Sequence, residues 1–403
     1  MHAPSSRDRG SVVCPAGCGA STCRCPACEQ LRGCHYVESV KTPRCPHCRS
    51  FAYLDSTQCP SCAGALGYEL GSRTFFAISD DGAAEVDGTP WYLCSNSKDW
   101  GCNWLVDPEA GSGRCFSCRL TRTGPDSDNT IALEKLASTE VAKRRLIVQL
   151  LDLGLPIRPW TEGPGGLGFD LTSSLTDGTP VRIGHANGII TIDLAESLDA
   201  RREALRVKLG EPYRTMLGHL RHEVGHYFQM VLVQDDDTLT RCRELFGDER
   251  ASYQDAIKRH YKFGAPADWH VAHISEYATM HPWEDFAETF AHYLHITGTL
   301  GTAAATGLQL DASVVAARDE DVVPLSSYQG ESIQRLLSDW AWFSRVFNRV
   351  NRSMGMGDLY PFELTPRVGV KLAFMHRLIS SAAAIRKASV SDADGLVLVS
   401  PEG

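Results

Sequence analysis

A chain of 403 residues is too long for one small domain, and its 43% hydrophobic and 22% charged residues are those of an ordinary globular protein with a sizeable core. The formal charge of -9 argues against a generally nucleic-acid-binding surface, although residues 1–50 carry seven Lys or Arg against three Asp or Glu, a basic start of +4 on a body of -13. No apolar run approaches the roughly 20 residues of a membrane helix, and "MHAPSSRDRGS" lacks the hydrophobic stretch of a signal peptide, so we expect no membrane and a cytoplasmic location.

Fourteen of the fifteen cysteines precede residue 119, and only Cys242 follows. Without an export signal, metal ligation explains this density better than disulfides. Residues 1–42 hold six cysteines and His35 at irregular spacing among Gly, Pro, Ser and Ala, and read as a poorly ordered Cys-rich extension with no nameable ligand set. Cys45-x2-Cys48 and Cys59-x2-Cys62 follow. Each such turn presents two thiolates to one ion, and two turns complete the tetrahedral shell of a structural zinc. A second set, Cys94, Cys102, Cys115 and Cys118, stretches its first pair to C-x7-C and keeps the usual second turn. Residues 43–120 therefore read as tandem zinc ribbons, each a platform for a protein or nucleic-acid partner. Phe51, Tyr53, Phe75 and Phe76 serve as ribbon core or as a stacking surface. "TRTGPDSDNT" reads as a linker over 121–130.

Helical apolar spacing runs from Ile131 to Leu155 and stops at Gly154 and Pro156. "GLGFDLTSS" and "HANGIITIDLAES" read as strands, and the run Ile189 to Leu194 is placed to offer an edge to an extended substrate. A helix is expected to start at Glu211-Pro212 and to carry "HLRHEVGHYF". Residues four apart stand one turn above each other, so His222 and His226 reach one ion. Glu223 beside them can deprotonate a water that zinc has acidified.

His281-Pro282 opens another helix, with Glu284, Glu288, His292 and His295 along one side. Trp283, Phe286, Ala287, Phe290 and Leu294 form its core stripe. Glu284 lies in the first turn, where the helix dipole favours an ionised carboxylate; Glu288, one turn on, can hold the outer nitrogen of a ligating histidine. "GTAAATGLQLDASVV" and "DEDVVPLSSYQG" read as loops, Gln334 to Asn351 and Val370 to Lys387 as closing helices, and 391–403 as a flexible tail.

H-E-x-x-H followed on a later helix by E-x-x-x-E resembles the gluzincin metallopeptidases. The resemblance implies that Glu284 is the third ligand of a catalytic zinc beside His222 and His226, that Glu288 supports His222, and that Tyr277 stabilises the oxyanion. Together "RCPHC", "CNWLV", "CFSCRL", "GEPYRTMLGHLRHEVGHYF" and "HPWEDFAETFAHYLHI" resemble a bacterial family of zinc-binding metallopeptidases with an N-terminal zinc ribbon, over about residues 43–390; residues 1–42 lie outside its pattern. The expected architecture is α+β, zinc ribbons followed by a mainly helical metallopeptidase domain over 131–390 with a small β-sheet. The expected function is zinc-dependent hydrolysis of a peptide or protein substrate, with one catalytic and two structural zinc ions. The alternative is a regulatory protein that binds protein or nucleic acid through its ribbons and keeps a non-catalytic H-E-x-x-H zinc.

Overall fold

Each C-x2-C turn of the first cysteine set ends in a residue held at positive φ, Arg49 at 64° and Ala63 at 58°. The chain folds back on itself there through isolated bridges, Arg44 to Phe51 and Gln58 to Ala65. This computed structural model describes residues 43–125, 129–174, 183–194, 215–315 and 320–394. The Cys-rich extension 1–42 and residues 395–403 lie outside the described residues.

An antiparallel hairpin follows, β1 (Leu66–Glu69) with β2 (Thr74–Ala77), then a three-stranded sheet of β3 (Ala83–Val86), β4 (Thr89–Leu93) and β5 (Leu105–Val106). Asp87 and Gly88, both at positive φ, close the β3–β4 turn. The short helix α1 (Phe116–Leu120) leads directly into β6 (Thr121–Thr123).

That strand takes up Thr121–Thr123 of the expected linker, of which residues 126–128 lie outside the described residues. It pairs in parallel with β7 (Gly168–Thr172), and Arg122 on it forms an ion pair with Asp170 at 2.5 Å. Gly124 and Pro125 punctuate the chain only after the strand. Between β6 and β7 lies α2 (Thr130–Asp152), capped by Asn129 and ended by Gly154 at φ 67°. The sheet is completed by β8 (Gly184–Ala186) and β9 (Ile189–Asp193), joined through Asn187-Gly188 at positive φ, in the order β6-β7-β9-β8. The run Ile189–Asp193 is thus an inner strand, paired on both sides, and cannot lend an edge. Among the described residues, β8 is the outer strand on that side.

The helices then follow: α3 (Met216–Leu232), which packs against β8, α4 (Asp236–Phe246), α5 (Tyr253–Phe263), α6 (Pro282–Thr306), the single turn α7 (Ala312–Val315), α8 (Ile333–Ser353) and α9 (Pro366–Asp394). Thr215 is extended and its Oγ1 accepts from the Gly218 N–H at 2.9 Å, so α3 begins at Met216 rather than at Pro212. "GTAAAT" continues α6 instead of forming a loop, because its alanines are strong helix formers; Gly307 at φ 76° ends it.

Helix α6 is central. Phe286, Ala287, Phe290 and Leu294 are buried, as are Glu284, Glu288, His292 and His295 on the other side, whereas Trp283 is 43% exposed and leaves the core stripe. One hydrophobic cluster runs from Cys45 and Cys59 through Trp104, Leu136 and Phe228 to Ile379. One more expectation is corrected. Pro366–Ile385 is long enough to cross a membrane and has a mean hydropathy of 1.3. Half of that stretch is buried inside the protein, and Lys371 in it pairs with Asp285 of α6 at 2.5 Å.

Candidate metal centre

The centre forms where α3 crosses α6. A Cβ at Gly225 would lie 2.9 Å from the Ala287 Cα and 3.1 Å from its carbonyl oxygen, closer than packed atoms stand, so only glycine allows this approach. The crossing places the His222–His226 face of α3 against the first turn of α6. That turn is fixed by Pro282 at its start and by His281, whose Nδ1 accepts from the Trp283 N–H at 3.1 Å.

His222 Nε2 stands 3.0 Å and His226 Nε2 3.5 Å from Glu284 Oε2. Ligand atoms of the three residues all lie within 4.8 Å of one another. Bonds of 2.0–2.2 Å in a tetrahedral zinc shell put neighbouring donor atoms about 3.4 Å apart, close to the two distances to Glu284, so the three side chains suit one ion. Glu223 adds a second sign of fit: its Oε2 is buried and meets no partner among the described residues. Its Oε1 accepts from His219 Nε2 at 3.2 Å.

Supporting groups surround these atoms. His222 Nδ1 donates to Glu288 Oε1 at 2.7 Å, and Ser275 Oγ donates to Glu288 Oε2 at 2.6 Å. Tyr253 donates its hydroxyl to Glu284 Oε1 at 2.8 Å, which leaves Oε2 toward the histidines. The Tyr277 ring lies 5.8 Å from the His222 ring, and its hydroxyl interacts with that of Tyr253. On β8, His185 faces the His226 ring at 6.5 Å and accepts from the Gly188 N–H through Nε2.

The electrostatics follow from burial and these contacts. Burial opposes the charged forms of both His222 and Glu284, yet each is outweighed by the other's charge and by neighbours: Glu284 and Glu288 hold His222 well above its ordinary pKa, and His226 and His222 hold Glu284 well below its own. Burial also disfavours the Glu223 carboxylate, and His219 more than compensates, so its pKa lies below the usual range. Burial and the Glu284 charge push Tyr277 up, so its hydroxyl keeps its proton. Burial takes His185 down to about 4, a neutral ring at pH 7.

Sequence reasoning named the three convergent residues, Glu223, Glu288 and Tyr277, and the structure brings all of them together. It missed Tyr253, Ser275 and His185, and left the partner of His219 unread. His292 donates or accepts elsewhere, with the Tyr360 hydroxyl at 2.8 Å, and His295 meets Arg221. Cys242 is a buried thiol pushed up to about 12 by burial.

Both four-cysteine sets also close up. Sγ atoms stand 3.7 Å apart for Cys45 and Cys62, 3.6 Å for Cys48 and Cys59, and 3.6 Å for Cys102 and Cys115. A zinc–thiolate tetrahedron with bonds of 2.3 Å requires about 3.8 Å, and a disulfide requires about 2.05 Å. All eight are free thiols gathered for a metal. They differ in access: Cys48 and Cys62 of the first set are exposed, and all four of the second are buried.

Comparison with known proteins agrees with this picture. The family described as "Putative zinc-binding metallo-peptidase" matches residues 132–378, and the one described as "zinc-ribbon domain" matches residues 43–129. Uncharacterized proteins of Mycobacterium tuberculosis and Mycobacterium bovis are 45% identical over 321 residues, which covers 79% of this chain and 89% of theirs. No solved structure matches. The chain belongs to this zinc-binding metallopeptidase family and carries a zinc-ribbon domain ahead of the family region.

Proposed function

We propose that the protein is a gluzincin-like zinc peptidase that hydrolyses peptide bonds, with zinc held by His222, His226 and Glu284. One observation carries the reading: the three ligand atoms converge beside a buried carboxylate oxygen, Glu223 Oε2, that has no other occupation. When bound there, zinc supplies Lewis acidity and brings the pKa of water toward neutrality. Glu223 Oε2 takes the proton of the attacking water and returns it to the leaving amine. Tyr277, protonated at neutral pH, turns its hydroxyl from Tyr253 to the developing oxyanion. Glu288, itself held by Ser275, keeps the His222 ring in the tautomer whose Nε2 faces the metal. The outer strand β8 offers the edge on which an extended substrate pairs.

Two structural zinc ions complete the set of three. The first ribbon docks a protein or nucleic-acid partner: Phe51 and Tyr53 are 49% and 73% exposed, and Arg44 stacks over Phe51 at 4.2 Å. Clusters of free thiols in place of disulfides suit a reducing compartment, the cytoplasm.

The test compares zinc-loaded wild type with Glu223→Gln on a mixed peptide library, read by mass spectrometry. Cleavage by wild type, reduced by about 10²–10⁴ in the variant at unchanged zinc content, is expected. Silence from both overturns the peptidase reading, leaving a ribbon-based binding protein with a structural zinc.

A further inference from the structure

Arg144 on α2 is 1% exposed, beside the second cysteine set. Its Nη2 donates to the carbonyl of Gly101, the residue before Cys102, at 3.1 Å, while Nε and Nη1 are buried with no partner. Glu140, one turn away, spends its charge on Lys143: its Oε1 accepts from Lys143 at 2.7 Å and from Thr121 at 2.6 Å, and its buried Oε2 makes no hydrogen bond to Arg144 or to any other described residue. Glu140 and Lys143 are both fully buried and cancel each other. One positive charge is left over, and among the described residues no carboxylate forms an ion pair with Arg144. A guanidinium stays charged at any relevant pH, and a buried charge needs an opposite one nearby.

Among the described residues, the group left to balance that charge is the metal cluster itself, whose Cys102 thiolate Arg144 favours by its charge. Four thiolates around a divalent ion sum to -2. We infer that Arg144 is the buried counter-ion of the metal–tetrathiolate group at Cys94, Cys102, Cys115 and Cys118, which makes this metal part of the peptidase-family fold rather than of a detachable docking module. The first set differs in both respects, with two exposed cysteines and, among the described residues, no buried arginine against it.

The consequence reaches the catalytic helix. Further along α2, Gln149 Oε1 accepts from Arg221 Nε at 3.0 Å and Nη2 at 2.8 Å, and its Nε2 donates to the Leu294 carbonyl at 2.6 Å. Arg221 immediately precedes His222. The second metal site, the opening helix and the H-E-x-x-H helix are therefore one connected assembly, whose formation depends on metal supply whether or not the centre turns over peptide.

The test uses the full chain with Cys48→Ser, which disables the first set, and with the six cysteines of residues 1–42 replaced by serine, and reads Co(II) uptake by the sulfur-to-cobalt charge-transfer band that the His/Glu centre does not give. Arg144→Met should weaken uptake roughly 10- to 100-fold, the usual effect of removing a group that supports metal ligands, while Arg144→Lys, which keeps the charge, should stay within about threefold of the parent. Equal affinity in Arg144→Met, or an equal loss in Arg144→Lys, overturns the counter-ion role. Should Arg144→Met not fold, the lysine variant alone decides. A further readout is the far-ultraviolet helical signal of the parent as a chelator strips the band: parallel loss is expected, and a helical signal that outlives the band overturns the coupling.

Discussion

At the scale of single residues, the centre divides the two oxygens of one carboxylate. Glu223 Oε1 is held by His219 from one turn earlier in the same helix, and Oε2 meets no partner among the described residues, as the proposed base requires. A positioned base must stand within hydrogen-bond reach of its proton, so releasing Oε1 lets the carboxylate rotate away. His219→Leu is expected to lower kcat about tenfold with KM and zinc content unchanged, and His219→Gln, whose amide can donate from the same place, to recover most of that loss. Unchanged kcat in the leucine variant would reduce His219 to packing. His222 with His226, and Glu284 with Glu288, were legible as pairs because helical side chains at i and i+4 share a face; that the two pairs meet was implied by the gluzincin resemblance and not by spacing. Tyr253 and Ser275 were not legible. Tyr253 reaches Glu284 across 31 residues of sequence and Ser275 reaches Glu288 across 13 from outside any regular element, contacts set by tertiary packing for which no local spacing rule exists.

Among elements, the contact of α3 with α6 decides whether the ligands meet at all. The start of α6 was readable from His281-Pro282, and α3 from its apolar spacing, although its first residue is Met216 and not the expected Pro212. Their closeness was not, because the glycine inside H-E-V-G-H carries no signal until the partner backbone is seen 2.9 Å from where its Cβ would be. Gly225→Ala adds one methyl against backbone that cannot swing aside like a side chain. Overpacking of this kind costs about 1–3 kcal/mol, and relief by separating the helices moves both histidines from Glu284. We expect a folded protein that keeps the zinc of its two cysteine sets and loses the third equivalent, measured by metal analysis after gel filtration. Three equivalents in a folded variant would show that the site tolerates a wider crossing. The linker reading failed for a related reason: Gly124-Pro125 was recognised as punctuation, but the pairing of Thr121–Thr123 with a strand some 45 residues later depends on register that the local sequence does not encode.

For the molecule as a whole, the question is whether ribbons and helical region are separate modules, as the change in composition near residue 120 suggests. The contacts argue for one cooperative unit from residue 43 onward. Asn103 beside the second set donates to the carbonyls of Leu54 and Ser56 in the first at 2.8 and 2.9 Å. Arg145 of α2 pairs with Asp55 at 2.6 Å, and Asp152 at its end with Arg73 at 2.9 Å. The apolar cluster is shared from Cys45 to Ile379. Exposed ion pairs contribute little each, so it is this shared burial that ties the parts together: unfolding one side would open apolar surface on the other. Urea unfolding followed by helical circular dichroism, dominated by α2 to α9, should therefore have the same midpoint as unfolding followed by reaction of the ribbon thiols with a chromogenic disulfide. Coincidence of different probes is the mark of a single transition. A thiol midpoint at clearly lower urea would mean that the first set, with its exposed cysteines, opens on its own, and would confine the cooperative unit to the second set and the helices.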